Sequence, residues 1–148
     1  MITIENGDLF DVKRGIICHQ VNCSGAMGRG VAAQFRDNFP RHFNFYKYIC
    51  KTIEPVDLMG RIIMYEEQHQ ILYSCSMFAQ IDWRGEGCKT NYFAFRDCCK
   101  EIKQFNLPLP IYMPLYIGCG LAGGDWNTVY KILEEEFKDQ NLILRRRL

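Results

Sequence analysis

The 148-residue sequence lacks any apolar run close to the roughly 18 residues that a membrane-spanning helix requires. Its first residues, 1–5, do not form a basic segment followed by an apolar one, so the sequence predicts no signal peptide. An excess of one charge is also lacking. The 18 Lys and Arg oppose 17 Asp and Glu, a net charge of +1, which argues against a broad nucleic-acid-binding surface.

Paired cysteines are lacking too, although the chain contains eight cysteines. No two of them form a Cys-x-x-Cys motif, and close pairs of that kind are typical of zinc sites and thiol redox centres. Cys18, Cys75 and Cys98 lie within apolar runs, where free cysteine behaves as a small buried hydrophobe. We therefore expect reduced thiols in a cytoplasmic protein, with no disulfide framework, no metal site and no cofactor.

The order of apolar runs indicates one α/β domain over residues 1–148. With 48% hydrophobic and 24% charged residues, the composition is that of a globular domain. Strand patterns alternate with helical ones, and two neighbouring strand patterns read as an antiparallel hairpin. The predicted strands span residues 2–4, 15–21, 61–65, 70–77, 110–117 and 141–147. Four helices are predicted. The first spans residues 28–39, the second begins at Pro40, and the third and fourth follow the N-caps Thr90 and Asp125. The sequence thus predicts a three-layer α/β/α sandwich with a mixed sheet of about six strands.

Two glycine-rich loops are the most informative feature of the chain. They cover residues 21–31 and 117–126, and each joins a β-branched run to a helical pattern. Backbone N–H groups and a helix N-terminus at such a junction can bind an anion, and two facing loops would suit a diphosphate. The structural alternative is that each loop only connects a strand to the following helix and binds no ligand. Because both loops follow the carboxyl ends of predicted strands, we favour a shared ligand crevice.

The standard nucleotide fingerprints are absent from both loops. No Gly-x-x-x-x-Gly-Lys-Ser/Thr motif is present, and the Gly28-Arg29-Gly30 segment lacks the third glycine of the dinucleotide-binding pattern. The terminal arginines 145–147 invite a nucleic-acid interpretation, but a solvated edge strand is the preferred one. His42 and His69 fall on polar patterns that indicate surface positions.

Four segments together resemble the macrodomain family. They are residues 6–10 (Asn-Gly-Asp-Leu-Phe), 19–22 (His-Gln-Val-Asn), 25–31 and 114–126, in the family's order and spacing. The resemblance covers nearly the whole chain. It is closest to the branch that holds the yeast-type ADP-ribose-1″-phosphate phosphatase and the terminal ADP-ribose hydrolases.

The resemblance implies ADP-ribose as the ligand and assigns parts of it to residues. Asp8 matches the acidic residue that hydrogen-bonds the adenine amino group, and Leu9 adds backbone contacts beside it. Asn22 matches an asparagine that contacts the distal ribose. The two glycine loops match the loops around the distal ribose and the diphosphate; their expected contacts are Gly25, Met27, Gly28, Gly30 and Val31 in the first and Gly118, Cys119, Gly120 and Leu121 in the second.

The expected catalytic residues are His19 and Asn22, which the resemblance implies, and Asp125, whose position would let it orient a water. His19 matches a histidine of the phosphatase, and a histidine beside the distal ribose can act as general acid or base near neutral pH. A core histidine bonded to backbone is the alternative for His19. For Asp125 the alternative is a helix N-cap, which we favour.

Lysine-dependent relatives carry their lysine just after the fourth strand, where this chain has Gln80. Those that pair the lysine with an aspartate carry that acid directly after the Gly-Cys-Gly-Leu motif of the second loop, where this chain has Ala122. Glutamine cannot act as an amine nucleophile. We therefore expect a monomeric enzyme that hydrolyses ADP-ribose-1″-phosphate or a related ADP-ribosyl linkage without a catalytic lysine. Its partners would be ADP-ribose, ADP-ribose-1″-phosphate and ADP-ribosylated macromolecules. The alternative is a non-catalytic reader of ADP-ribose.

Overall fold

A computed structural model describes residues 1–85 and 87–148 of the chain. In this described part the strands are β1 (Ile2–Asn6), β2 (Gly15–Asn22), β3 (Ile62–Gln68), β4 (Leu72–Gln80), β5 (Ile111–Pro114) and β6 (Leu142–Arg146). The helices are α1 (Gly30–Asn38), α2 (Pro40–Thr52), the short α3 (Pro55–Leu58), α4 (Tyr92–Phe105) and α5 (Trp126–Glu136). A single 3₁₀ turn covers Leu9–Asp11. Every helix in the described residues is too short or too polar to cross a membrane.

The strands form one sheet in the order β1-β6-β5-β2-β4-β3. All neighbouring pairs are parallel except β3 and β4, which form the predicted antiparallel hairpin. The prediction of a mixed six-stranded sheet is confirmed. Since β2 lies at the centre, between β5 and β4, both strands that lead into glycine loops are neighbours.

Two apolar cores lie between the three layers, one on each face of the sheet. Because side chains alternate along a strand, Ile16 and Cys18 of β2 face α4 and α5, where the fully buried Phe95 packs. Ile17 and Val21 face the other core, with Phe35 of α1 and Tyr46 of α2. The sandwich prediction is confirmed, as is the burial of the cysteines at positions 18, 75 and 98.

Local sequence explains where the helices begin. Pro40 occupies the first turn of α2, where its missing N–H costs nothing. Asp125 caps α5, its carboxylate accepting from Thr128 N at 3.0 Å. The cap of α4 is Asn91, which accepts from Ala94 N at 3.0 Å, so the prediction of Thr90 as the cap was wrong. Thr90 instead is buried and donates its hydroxyl to the carbonyl of Gly118.

The ends of several elements differ from their predictions. The strand predicted over 110–117 stops at Pro114, because Ile117 N turns back to the Pro114 carbonyl and Tyr116 has a φ of 66°. The terminal arginines do not lie on an edge strand: β6 pairs with both β1 and β5. Helix α1 begins at Gly30 and not at residue 28, so the first loop runs to Arg29. The short α3 and the 3₁₀ turn were not anticipated, since neither is long enough to show a period.

The prediction that His42 lies on the surface was wrong. Its side chain is fully buried between α2 and the sheet, with each ring nitrogen 2.7 Å from a serine hydroxyl of β4, Ser74 or Ser76. His69, in the turn after β3, is exposed as expected. The polar neighbours of His42 in the sequence face solvent, so the pattern around it indicated a surface position. His42 itself is the position of that helix turn that faces the serines.

Candidate functional site

A cavity of about 860 Å³ opens at the carboxyl ends of the parallel strands β2, β4 and β5. This volume lies within the usual range for small-ligand sites, and the edge is the one where α/β proteins bind ligands. Both glycine loops line the cavity, the first through Gly28 and Gly30 and the second through Gly118 and Gly120. The prediction that the two loops share one crevice is confirmed.

The glycines of the two loops have two different roles. At Gly118 the φ of +76° lies in the left-handed region, and a Cβ would come within 2.9 Å of Gln20 Oε1. At Gly28 and Gly120, a Cβ would meet no atom of the described residues within 4 Å. Those two positions thus leave the backbone open to the cavity, so a ligand can come close to it.

The N-terminus of α1 forms one wall of the cavity. Gly30, Val31 and Ala32, its first turn, all line the cavity. Within the described residues, the N-cap Arg29 makes no side-chain hydrogen bond to the helix, and the first turn contains no acidic residue. The first-turn N–H groups therefore remain available to an anion, which the helix dipole would also favour.

The charged residues among the described cavity lining are all basic. They are Arg29, Arg84 and Lys89. Lys89 donates to the carbonyl of Leu121 at 2.9 Å, and Arg84 pairs with Asp82 at 2.6 Å. The net charge of +1 for the whole chain gave no indication of this local excess of positive charge. The one signal in the sequence was Arg29, which lies between two loop glycines. The cavity is therefore suited to an anionic ligand.

Eight of the residues predicted for the site line the cavity and six do not. Those in the lining are His19, Asn22, Gly28, Gly30, Val31, Gly118, Gly120 and Leu121. Outside it are Asp8, Leu9, Gly25, Met27, Cys119 and Asp125. Asp8 caps the 3₁₀ turn by accepting from Phe10 N, and Met27 is buried in the core against α1.

Asn22 holds the first glycine loop together. Its Oδ1 accepts hydrogen bonds from Ser24 N at 3.0 Å and from the Tyr46 hydroxyl at 2.8 Å, and its Nδ2 donates to the carbonyl of Ala26 at 2.9 Å. Tyr46 is fully buried under the loop. The side chain of Asn22 thus fixes the path of residues 22–26 as that segment enters the cavity wall.

His19 combines a place in the cavity wall with almost complete burial. Its ring stacks on Phe35 with centroids 3.6 Å apart, and Nε2 lies 3.1 Å from the Ser76 hydroxyl. Nδ1 has no hydrogen-bond partner among the residues that the structure describes. Burial lowers the pKa of His19 well below its usual value, and the nearby His42 acts in the same direction. The ring is therefore neutral at physiological pH.

Gln80 ends β4 at the cavity, as predicted for the position of the lysine in lysine-dependent relatives. Its Oε1 accepts from Gln20 Nε2 at 2.8 Å, and the same Gln20 nitrogen donates to Thr90 Oγ1 at 2.8 Å. Thr90 in turn donates to the carbonyl of Gly118. These polar side chains connect β2 to the second glycine loop, a link that no spacing in the sequence had indicated. Within residues 1–85 and 87–148, no three His, Cys, Asp or Glu side chains are grouped to hold a metal ion.

No protein-family model matches the chain. Among curated proteins, it is 29% identical over 146 residues to the DNA ADP-ribosyl glycohydrolase of Mycobacterium tuberculosis, covering 93% of this chain and 39% of that one. It is 28% identical over 150 residues to the ADP-ribose 1″-phosphate phosphatase of Candida albicans, covering 91% of this chain and 93% of that one. The chain thus spans about two fifths of the mycobacterial relative.

Solved structures show the same architecture. The macrodomain of Mycobacterium tuberculosis DarG matches with a TM-score of 0.80 at 24% identity, covering 99% of this chain and 97% of that one. Thermosipho africanus DarTG, solved in complex with ADP-ribose, matches with a TM-score of 0.78 at 18% identity, covering 99% of this chain and 42% of that one. The chain therefore has the macrodomain fold, and its homologues include proteins named ADP-ribose 1″-phosphate phosphatase and DNA ADP-ribosyl glycohydrolase.

Proposed function

We propose that the cavity binds ADP-ribose and that the protein hydrolyses ADP-ribose-1″-phosphate or a related ADP-ribosyl linkage without a catalytic lysine. One observation carries the proposal: two glycine loops and the free N-terminus of α1 meet in one cavity whose described charged residues are all basic. A diphosphate needs several N–H donors together with positive charge, and this cavity offers both. The names of the two curated relatives support the choice of ligand.

The proposal distributes the ligand over the cavity as the resemblance implies. The loop backbones at 28–31 and 118–121 would hold the diphosphate and distal ribose, beside Asn22. The ligand contacts that the resemblance implies for Asp8, Leu9, Gly25, Met27 and Cys119 stay predictions, because these residues do not line the described cavity. The protein would act as a single monomeric domain over residues 1–148. A location in the cytoplasm is supported by the eight free thiols in the described residues, because thiols stay reduced there.

For catalysis we assign His19 as the proton carrier. Hydrolysis joins a water oxygen to the phosphorus of the 1″-phosphate and breaks the bond to the ribose oxygen. A neutral imidazole can take the proton of that water and return it to the leaving oxygen, yielding ADP-ribose and phosphate. Gln80 stands where a lysine nucleophile would act, which supports chemistry through water.

Two assays test binding and turnover separately. Calorimetry should give saturable 1:1 binding of ADP-ribose, and Gly120→Val, which fills open cavity space, should weaken it without lowering the melting temperature. Phosphate release from ADP-ribose-1″-phosphate should be lost in His19→Gln, whose folding is checked by circular dichroism. Absence of ADP-ribose binding by the wild-type protein would refute the proposal as a whole.

The role of Asp125 is tested by Asp125→Asn. Asparagine caps a helix about as well as aspartate, so this change removes the carboxylate and keeps the cap of α5. If Asp125 only caps the helix, both stability and phosphate release stay at the wild-type level. A loss of phosphate release with unchanged stability would give Asp125 the catalytic role.

A non-catalytic reader is the second candidate. The observation that favours it is the depth of His19, which is 1% exposed and packed against Phe35. A reader would bind ADP-ribose as tightly as an enzyme but release no phosphate above the His19→Gln background. The same pair of assays therefore separates the two functions.

A further inference from the structure

A series of buried hydrogen bonds runs from the cavity wall to the outer strand of the sheet. His19 Nε2 lies 3.1 Å from Ser76 Oγ, which lies 2.7 Å from His42 Nε2. On the other side of the same ring, His42 Nδ1 lies 2.7 Å from Ser74 Oγ, which donates to Glu67 Oε2 at 2.6 Å. The serines belong to β4, the histidines to β2 and α2, and Glu67 to β3.

This series uses most of the buried polar side chains of the protein. Six polar residues in the described chain are buried, and four of them, His19, His42, Ser74 and Ser76, belong to it. Buried polar groups are costly unless every member has its partner. Burial lowers the pKa of His42 to about 3, so both rings are neutral and each carries one proton. Each ring nitrogen is therefore either a donor or an acceptor.

The carboxylate at one end fixes the direction of every bond. An ionised Glu67 only accepts, so the single proton of the Ser74 hydroxyl is committed to it. Ser74 must then accept from His42 Nδ1–H, which leaves His42 Nε2 without a proton. Ser76 consequently donates to that nitrogen and accepts from His19 Nε2–H.

The series ends at His19 Nδ1, which carries a lone pair and no proton. It is one of few buried side-chain nitrogen or oxygen atoms without a partner in the described residues, and it belongs to a residue of the cavity wall. The opposite direction would place a proton on His19 Nδ1 with no acceptor. It would also leave the Glu67 carboxylate without its serine donor, so two groups would be unsatisfied instead of one.

We propose that Glu67 is a positioning residue, which sets the tautomers of His42 and His19 through the two serines so that Nδ1 of His19, a residue of the cavity wall, carries a lone pair and no proton. The proposal rests on the proposed function for its consequence in turnover, but the tautomers themselves are independent of any ligand. Burial raises the pKa of the Glu67 carboxyl above its usual value, and the Ser74 hydroxyl and Arg41 act in the opposite direction by favouring the charged form. Glu67 is not among the residues that line the cavity, so its effect on His19 passes through the serines and His42.

Nuclear magnetic resonance tests the tautomers directly. The chain has three histidines, so a long-range ¹H–¹⁵N spectrum of the wild-type protein can be assigned with a His69→Gln variant. We expect His19 protonated on Nε2 and His42 on Nδ1. In Glu67→Gln and Glu67→Ala the two rings should lose this fixed assignment. A wild-type spectrum with His19 protonated on Nδ1, or tautomers that Glu67→Ala leaves unchanged, would overturn the proposal.

Glu66→Gln is the matched control, because Glu66 is the adjacent carboxylate on β3 but bonds to Tyr73 and His69 instead. In Glu67→Gln, phosphate release should fall by about 10- to 100-fold, part of the 10²–10⁴-fold that a general base supplies, at unchanged ADP-ribose affinity. Glu66→Gln should change neither quantity. Altered tautomers with unchanged turnover would refute the link to catalysis. If the wild-type protein releases no phosphate, the proposed function fails while the spectrum still decides the role of Glu67.

Discussion

Replacing Gly118 with alanine should destabilise the protein, because the second glycine loop folds back onto the side chain of Gln20. The φ of +76° costs an L-residue about 1–2 kcal/mol. The new Cβ would also lie 2.9 Å from Gln20 Oε1 and 3.3 Å from Thr90 Oγ1. Gln20 would have to move away from Gln80 and Thr90, and each of these two hydrogen bonds contributes about 0.5–1.5 kcal/mol. We expect a loss of roughly 2–5 kcal/mol in the free energy of unfolding.

Urea unfolding at constant m-value measures this loss, and Gly120→Ala is its control. Gly120 lies two residues further in the same loop, its φ is outside the left-handed region, and a Cβ there has open space. Its substitution should change the unfolding free energy by less than about 0.5 kcal/mol. Equal urea midpoints for the two variants would refute the reasoning, since loop position and residue type are matched and only backbone conformation and contact differ.

Three further predictions concern the core on the α1 and α2 side. Tyr46→Phe removes the buried hydroxyl that donates to the carbonyl and to Oδ1 of Asn22, although Oδ1 keeps its bond from Ser24 N, and should lower the unfolding free energy by about 1–3 kcal/mol in urea titrations. Phe35→Ala, at a fully buried position against His19, should cost about 3–5 kcal/mol by the same measurement. Acid should destabilise the protein: unfolded His42 gains a proton near pH 6.5, but the folded form resists it down to a pKa of about 3. The free energy of unfolding therefore decreases as the pH is lowered from about 6.5 to about 3, by up to about 1.4 kcal/mol per pH unit from His42, and His19 adds to the effect. Equal urea midpoints at pH 7 and pH 5 would contradict this last expectation.

The sequence predicted those parts of the fold whose signals are local. Periodicity located the six strands, and loop composition located the two strand–loop–helix junctions that meet at the cavity. The cap at Asp125 was also correct, because its carboxylate precedes a clear helical period. Each of these features depends on neighbours within a few residues, which is the range over which sequence patterns are informative.

Features that depend on distant residues could not be predicted. His42 looks like a surface residue in its helix, and only the pairing of α2 with β4 places it on two serines more than 30 residues away. The basic lining of the cavity is similar, since Arg29 comes from the first glycine loop, whereas Arg84 and Lys89 come from the connection between β4 and α4. Asn91 and Thr90 were both acceptable caps by residue type, and the choice was made by the contact of Thr90 with Gly118.

The dipeptide His19-Gln20 explains how one strand serves both sides of the cavity. Successive residues of a strand point to opposite faces of the sheet, so His19 faces the α1 and α2 layer and Gln20 the α4 and α5 layer. On the first face, His19 ends the series of hydrogen bonds that begins at Glu67. On the second, Gln20 fixes Thr90, which donates to the carbonyl of Gly118 at 2.7 Å. A shift of β2 by one residue would exchange the two faces and destroy both networks together. The position of the proton acceptor and the position of the second glycine loop are thus set by one register, the parallel pairing of His19 with Ser76 in β4.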